Sequence, residues 1–252
     1  MNTKTKIFLL AAVAATAFAG IYANGQQFAN GQQLLTAASS EKSNDGFTTE
    51  FFTKDCTWSN IGSNTFFVLK PGYQTVYRGV GDADEKIELV ITVQDTTRTV
   101  DGVKTRVVEE RESADGKLVE VSRNYFAICK PTNSVFYFGE EVDFYEDGKI
   151  VDHHGSWLAG KDGAKPGIFM PGTLLLGGKY FEEIAPATAM DRAEIISMNA
   201  EVDTPAKHFE NTLKVKETTP LEPGAVEFKY HAAGVGLVQD GDLKLVKFGM
   251  TG

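Results

Sequence analysis

Along most of the chain apolar residues recur at every second position, the pattern of strands that bury one face. Ile87, Leu89, Ile91 and Val93 alternate with Lys86, Glu88, Thr92 and Gln94, interrupted only by Val90. Val226, Phe228 and Tyr230 alternate as cleanly with Glu227, Lys229 and His231, and this spacing predicts that the three polar residues face outward. Further strands are predicted over 73–80, 103–112, 118–129, 135–138, 142–146, 179–184, 193–198, 212–217, 236–239 and 243–248. The longest helix-compatible stretch, 189–198, also reads as a strand.

Turn residues separate these segments. Asp-Gly pairs stand at 101–102, 115–116, 147–148, 162–163 and 240–241, and Pro-Gly pairs at 71–72, 166–167, 171–172 and 223–224. Asp-Gly suits the tight type I′ hairpin, whose two central residues both need positive φ. Hairpins make neighbouring strands antiparallel, whereas parallel crossovers would need helices that the pattern lacks. The expected fold is therefore all-β and mainly antiparallel. With ten or more strands the sheet must curl or close, as a half-barrel, a barrel or a sandwich. The stretch 155–178 breaks the alternation and is dense in Gly and Pro, so it is expected to be a long loop covering the sheet. Trp157, Ile168, Phe169 and Met170 would pin it there.

The N-terminus changes the setting. Lys4 and Lys6 precede an apolar run over 7–18, and Ala17-Phe18-Ala19 has the small-x-small form of a cleavage site. The run is short of the roughly 18–20 residues needed to span a bilayer. A signal peptide over 1–19 is expected, cut before Gly20 or after Ala23, which places the protein in the periplasm or outside the cell. Residues 20–46, with Asn-Gly-Gln-Gln at 24–27 and again at 30–33, read as a flexible leader. A single β domain over 47–252 follows, with no later stretch long and apolar enough to be a transmembrane segment.

The whole chain carries 25 basic and 34 acidic residues. Without Lys4 and Lys6 the formal charge is 23 − 34 = −11. Nucleic acid is a poor partner for such a chain, since its phosphates require a cationic face. Cationic ligands or divalent ions suit it better. Cys56 and Cys129 are a candidate disulfide in an oxidising compartment, with two buried free thiols as the alternative.

Several stretches also resemble a group of secreted bacterial β-domain proteins of unassigned function. They are Phe67-Val-Leu-Lys-Pro-Gly-Tyr with Val76-Tyr77, Tyr137-Phe-Gly-Glu-Glu, Gly155-Ser-Trp, Asp162-Gly-Ala-Lys-Pro-Gly-Ile, Pro220-Leu-Glu-Pro-Gly and the run Lys229 to Val238. More distantly, the opening Lys-Pro-Gly…Tyr strand and the closing Ala-Gly-Val-Gly-Leu-Val strand are similar to periplasmic half-barrel, lipoprotein-carrier and lipocalin-like domains. The resemblance implies a curved sheet and supplies no catalytic residues.

Candidate chemistry is sparse. Asp152, His153 and His154 are a candidate metal site, although neighbouring histidines in an extended chain point to opposite faces and further ligands must come from elsewhere. Asp82, Asp84 and Glu85, and the run Glu140, Glu141, Asp143, Glu146 and Asp147, lack the spacing of a calcium loop and read as solvated, charge-protected edges. Ser156 and His154 have no third group to orient them as a triad. Aromatic residues crowd 125–145 and must serve both faces of the sheet. Tyr125 and Tyr137, together with Trp157, Phe169 and Met170 from the covering segment, are the candidate wall for an apolar ligand. The expectation is an exported, non-enzymatic binding or accessory protein that holds a small apolar ligand or a protein partner, with no particular cofactor implied. The alternatives are a metal-binding protein or metal-dependent enzyme centred on His153 and His154, and a structural component of the cell surface.

Overall fold

The computed structural model describes residues 46–81 and 83–251. The export signal expected over 1–19, the leader over 20–46 apart from Gly46, and Asp82 lie outside the described residues. Three short strands come first: β1 (Trp58–Ser59), β2 (Gly62–Asn64) and β3 (Phe67–Leu69). A long meander follows as β4 (Tyr73–Val80), β5 (Lys86–Val100), β6 (Val103–Ala114), β7 (Lys117–Cys129) and β8 (Ser134–Glu146). Next come the short strands β9 (Lys149–Asp152), β10 (Trp157–Leu158), β11 (Lys165–Met170), β12 (Lys179–Phe181) and β13 (Glu183–Ile184). A second meander completes the chain as β14 (Arg192–Asp203), β15 (His208–Thr218), β16 (Glu227–Ala232), β17 (Gly236–Asp240) and β18 (Leu243–Met250).

Thirteen strands form one path, β12-β14-β15-β16-β17-β18-β4-β5-β6-β7-β8-β11-β13, and every neighbouring pair on it is antiparallel. The sheet curls until its two edges meet at one short stretch. Residues 179–181 pair with β14, residues 183–184 pair with β11, and Glu182 lies between them. The result is a barrel with one unsealed seam. Thr48 patches part of it: its N–H donates to the Lys179 carbonyl, and its own carbonyl accepts from the Phe181 N–H.

The Asp-Gly turns behave as their chemistry predicts at four positions. Asp101, Asp115, Asp147 and Asp162 have φ near 50°, and each following glycine has φ between 74° and 80°. At 240–241 the pattern fails, because Asp240 stays in β17 and only Gly241 takes positive φ.

Two expectations are corrected. The stretch 155–178 does not lie wholly across the sheet as a loop: it supplies β10 and β11, and both pair with β8. The predicted strands 135–138 and 142–146 are one strand, β8, continuous through Gly139 at φ 149°. A Cβ at Gly139 would stand 2.6 Å from the Trp157 carbonyl oxygen, so the close approach of β10 requires glycine there. Across this point two residues of β7, Asn124 and Phe126, oppose Glu140 and Tyr137 of β8 with the register shifted by one, which is a β-bulge. A bulge reverses the inside–outside parity of the residues beyond it.

Aromatic side chains do serve both faces of β7 and β8. Inside, Phe126 stacks on Tyr137 at 4.8 Å, and Phe67 of β3 reaches Phe126 and Phe169 at 5.1 and 5.3 Å. Outside, Phe136 and Phe138 are covered by Trp58, edge-on at 5.2 Å to each. The segment that carries Trp58 is fastened by a disulfide between Cys56 and Cys129, residues 73 apart whose Cα atoms are 5.0 Å from each other.

Reducing the Cys56–Cys129 bond is expected to lower the unfolding free energy by about 4 kcal/mol on the chain-entropy model, measured by urea denaturation with and without reductant. Gly167 of β11 tests the seam, because a Cβ there would come within 2.5 Å of the backbone of Phe181 and Glu182. Gly167→Ala is expected to cost about 1–3 kcal/mol through overpacking, and an unchanged denaturation midpoint would contradict this account of closure.

Candidate functional site

In an antiparallel sheet directly paired residues share a face, so the register traces rows of side chains through the barrel interior. One row runs Tyr77–Leu89–Glu112–Glu120, and the next runs Thr75–Ile91–Glu110–Ser122–Val142. A third runs Val93–Val108–Asn124–Glu140. Each begins among apolar side chains on β4 or β5 and reaches carboxyl groups on β6, β7 and β8. From the opposite wall, Lys229 of β16 is paired with Asp240 of β17.

These polar groups are deeply buried: Glu110 is 5 % exposed, Glu140 1 %, Lys229 3 % and His231 4 %. Two sequence expectations are therefore reversed. Lys229 and His231 face inward, while Phe228 of the same strand is 39 % exposed on the outer surface, where Lys214 Nζ lies 4.4 Å from its ring centre. The alternation of β16 is real, but the polar side of the strand is the inner one. Glu140, read as part of a solvated acidic run, is turned inside by the bulge next to it.

Removing a carboxylate from water disfavours its charged form. Burial is accordingly the first cause that raises Glu110 well above its ordinary value, followed by the charge of Glu120; Lys229 pulls the other way. Burial and then Glu120 push Glu112 up to about 8, and burial pushes Glu120 up to about 7. Glu140 is raised well above its usual range by burial and by Glu120 and Glu110. At the seam, burial raises Glu182 and Glu183 well above theirs and takes Asp191 to about 7, and the Asp191 N–H donates to Glu183 Oε1 at 2.6 Å. Asp240 reaches about 7 by burial. For Lys229 burial works against the charge, but Asp240 and Glu217 outweigh it, and Nζ stands 2.5 Å from Glu217 Oε2 and 3.9 Å from Asp240 Oδ2. His231 is neutral, its value lowered to about 3 by burial and then by Lys229.

Beside this network lies a cavity of about 60 Å³. Its walls are mainly apolar and include the rings of Phe67, Tyr73, Tyr77, Phe126 and Phe169. Besides its two tyrosines, Glu110, Lys229 and His231 are its ionisable lining groups. Asn124 Nδ2 donates to Glu110 Oε1 at 3.2 Å, whereas Glu110 Oε2 and His231 Nδ1 have no protein partner. The hydroxyls of Tyr73 and Tyr77 are already used, donating to the Val235 and Leu237 carbonyls at 2.9 and 3.0 Å.

The residues singled out from sequence divide around this site. Phe169 lines the cavity. Tyr137 and Trp157 stand behind it, with Tyr137 6.1 Å from Phe169 and 5.1 Å from Trp157, ring centre to ring centre. Met170 is buried in the same core. Tyr125 is on the other face of β7, where its hydroxyl donates to Glu141 Oε2 at 2.6 Å beneath Arg98. Asp152, His153 and His154 are exposed, and the two histidines turn to different carboxylates. His154 Nδ1 bonds to Asp152 Oδ2 at 2.8 Å, while His153 Nδ1 lies 2.9 Å from Asp143 Oδ1. Among the described residues no group of three or more His, Cys, Asp or Glu side chains is placed to hold a metal ion.

Carboxyls whose values are raised on folding bind protons more tightly in the folded state, so stability falls as pH rises from the unfolded value through the folded one. For Glu112, Glu120, Asp191 and Asp240 that window runs from about 4 to about 8. His231 acts oppositely, but only below its ordinary value of 6.5. Between pH 6.5 and 8.5 the carboxyls therefore decide, and the melting temperature is expected to fall, by an amount equivalent to a few kcal/mol on the order of one pKa unit per 1.4 kcal/mol. Glu120→Gln should flatten the profile, and a melting temperature that rises over this interval would contradict the buried network. Compared with known proteins, the chain matches no family model, no curated protein and no solved structure.

Proposed function

We propose that this is an exported, non-enzymatic binding protein that takes one end of a small, mainly apolar molecule into its barrel. The single observation that carries this is the cavity itself, with apolar and aromatic walls and a few buried polar groups of perturbed acidity converging on it. That combination is the usual form of a small-molecule site. Its volume, about 60 Å³, is several times the roughly 10–15 Å³ that one water needs, which suits the tip of a small ligand. The signal expected over 1–19 would deliver the domain outside the inner membrane, in keeping with the resemblance to half-barrel carriers.

Titration of the isotope-labelled protein with 1-butanol, followed by amide NMR shifts, tests the proposal. Saturable shifts are expected at Ile91, Val108 and Phe169, whose side chains line the cavity. Val108→Leu, which adds a methylene there, should weaken the binding several-fold. Shifts that do not saturate, or that scatter over the outer surface, would reject the cavity as a ligand site.

A further inference from the structure

We infer that the natural ligand is an amine, and that its ammonium group is received by Glu110 at the edge of the buried carboxyl network. The inference rests on the cavity being a ligand site and specifies the head group that site selects.

Charge balance is the first ground. Glu110, Glu112, Glu120 and Glu140 share the inner face of β6, β7 and β8, and carboxyls dominate their surroundings. The lysine that reaches them, Lys229, already has its ammonium against Glu217 and Asp240. A ligand ammonium can be neutralised there by a carboxyl that gives up its proton, whereas a ligand carboxylate would crowd a further buried acid among groups that already resist ionisation.

Hydrogen bonding is the second and independent ground. Glu110 Oε2 is buried and without a protein partner, and its carboxyl is oriented from the other side by Asn124. Asn124 is itself fixed, its Oδ1 accepting from the Tyr137 hydroxyl at 2.5 Å. An ammonium supplies the donor that Oε2 lacks, and charge-assisted bonds of this kind are about twice as strong as neutral ones. His231 Nδ1 is a second unpartnered atom at the same cavity. The ring-lined walls add a third element, since cations are attracted to aromatic faces.

Proton balance follows. The groups acting on Glu110 are Tyr77 of β4, Glu112 of β6, Glu120 of β7, Tyr137 and Glu140 of β8, Lys229 of β16 and Asp240 of β17, with neutral His231 beside it at the cavity. Burial and then Glu120 favour the protonated form of Glu110 before a ligand binds. When the ammonium binds, that proton leaves to solvent and the carboxylate remains paired with the ligand cation. Binding of an amine therefore releases a proton and strengthens as pH rises, up to the amine's own pKa near 10.

Calorimetry of the folded protein with n-butylamine, 1-butanol and butanoate at pH 7.5 decides the matter. Butylamine is expected to bind at least tenfold tighter than the other two, with about one proton released, read from heats in buffers of different ionisation enthalpy. Glu110→Gln should reduce the preference for butylamine over butanol at least tenfold. The ligand series and the proton count on the unmodified protein stand even if that variant folds poorly. Butanol or butanoate binding as tightly as butylamine, or amine binding without proton release, overturns the amine assignment and leaves the cavity as a ligand site. If none of the three binds, the ligand site falls together with the inference.

Discussion

A curled antiparallel sheet must do something with its two edges, whose unpaired N–H and C=O groups would otherwise be left open or invite other strands. In this protein residues 179–184 carry that burden by dividing their pairing, the first half with β14 and the second with β11. Closure depends on close approach: Gly167 has no room for a side chain against the backbone of 181–182, and the chain near Thr48 bridges to the same stretch. Once the two edges are joined, the inner faces of all thirteen strands enclose a volume that water reaches poorly. The ionisable groups inside take their properties from that enclosure.

Those groups are costly to keep there. A buried ionised carboxylate carries a penalty of several kcal/mol unless it is paired, so the network answers in two ways. Lys229 stays charged because Glu217 and Asp240 surround it, while Glu110, Glu112, Glu120 and Glu140 move toward their protonated forms. A core built only for stability would carry apolar residues at these positions. The same groups border a cavity and leave Glu110 Oε2 and His231 Nδ1 unpartnered, which ties their cost to recognition. The seam carries its own share through Glu182, Glu183 and Asp191, so protonation of the interior and closure of the barrel are physically linked.

The local code was legible in the residues themselves. Alternation located β4 through β8 and β14 through β18, although it stopped β5 at 94 and β14 at 198 and split β8 in two, and Asp-Gly chemistry marked three hairpin turns and the turn between β10 and β11, because φ, ψ preference and side-chain period are properties of neighbouring residues. The candidate site was legible only in fragments. Phe169, Tyr137 and Trp157 stand in or behind the cavity wall, whereas Tyr125 faces the other way, and Glu110, Lys229 and His231 gave no signal of their own. A Glu alternating with apolar residues looks the same in sequence whether it faces solvent or an enclosed chamber.

Alternation alone determined that this chain makes long antiparallel strands, which residues share a face, and that so many strands must curl. Tertiary structure decided which face is inside. On β16 the inner face is the one with Lys229 and His231, because carboxyls of the adjacent strands β15 and β17 meet the lysine on that face while Lys214 covers the outward Phe228. On β8 the bulge at Gly139, a position that the close passage of β10 restricts to glycine, reverses parity and carries Glu140 inward. Both outcomes depend on contacts between segments distant in the chain. A period of two fixes which side chains stand together, and leaves the direction in which they stand to whatever closes over them.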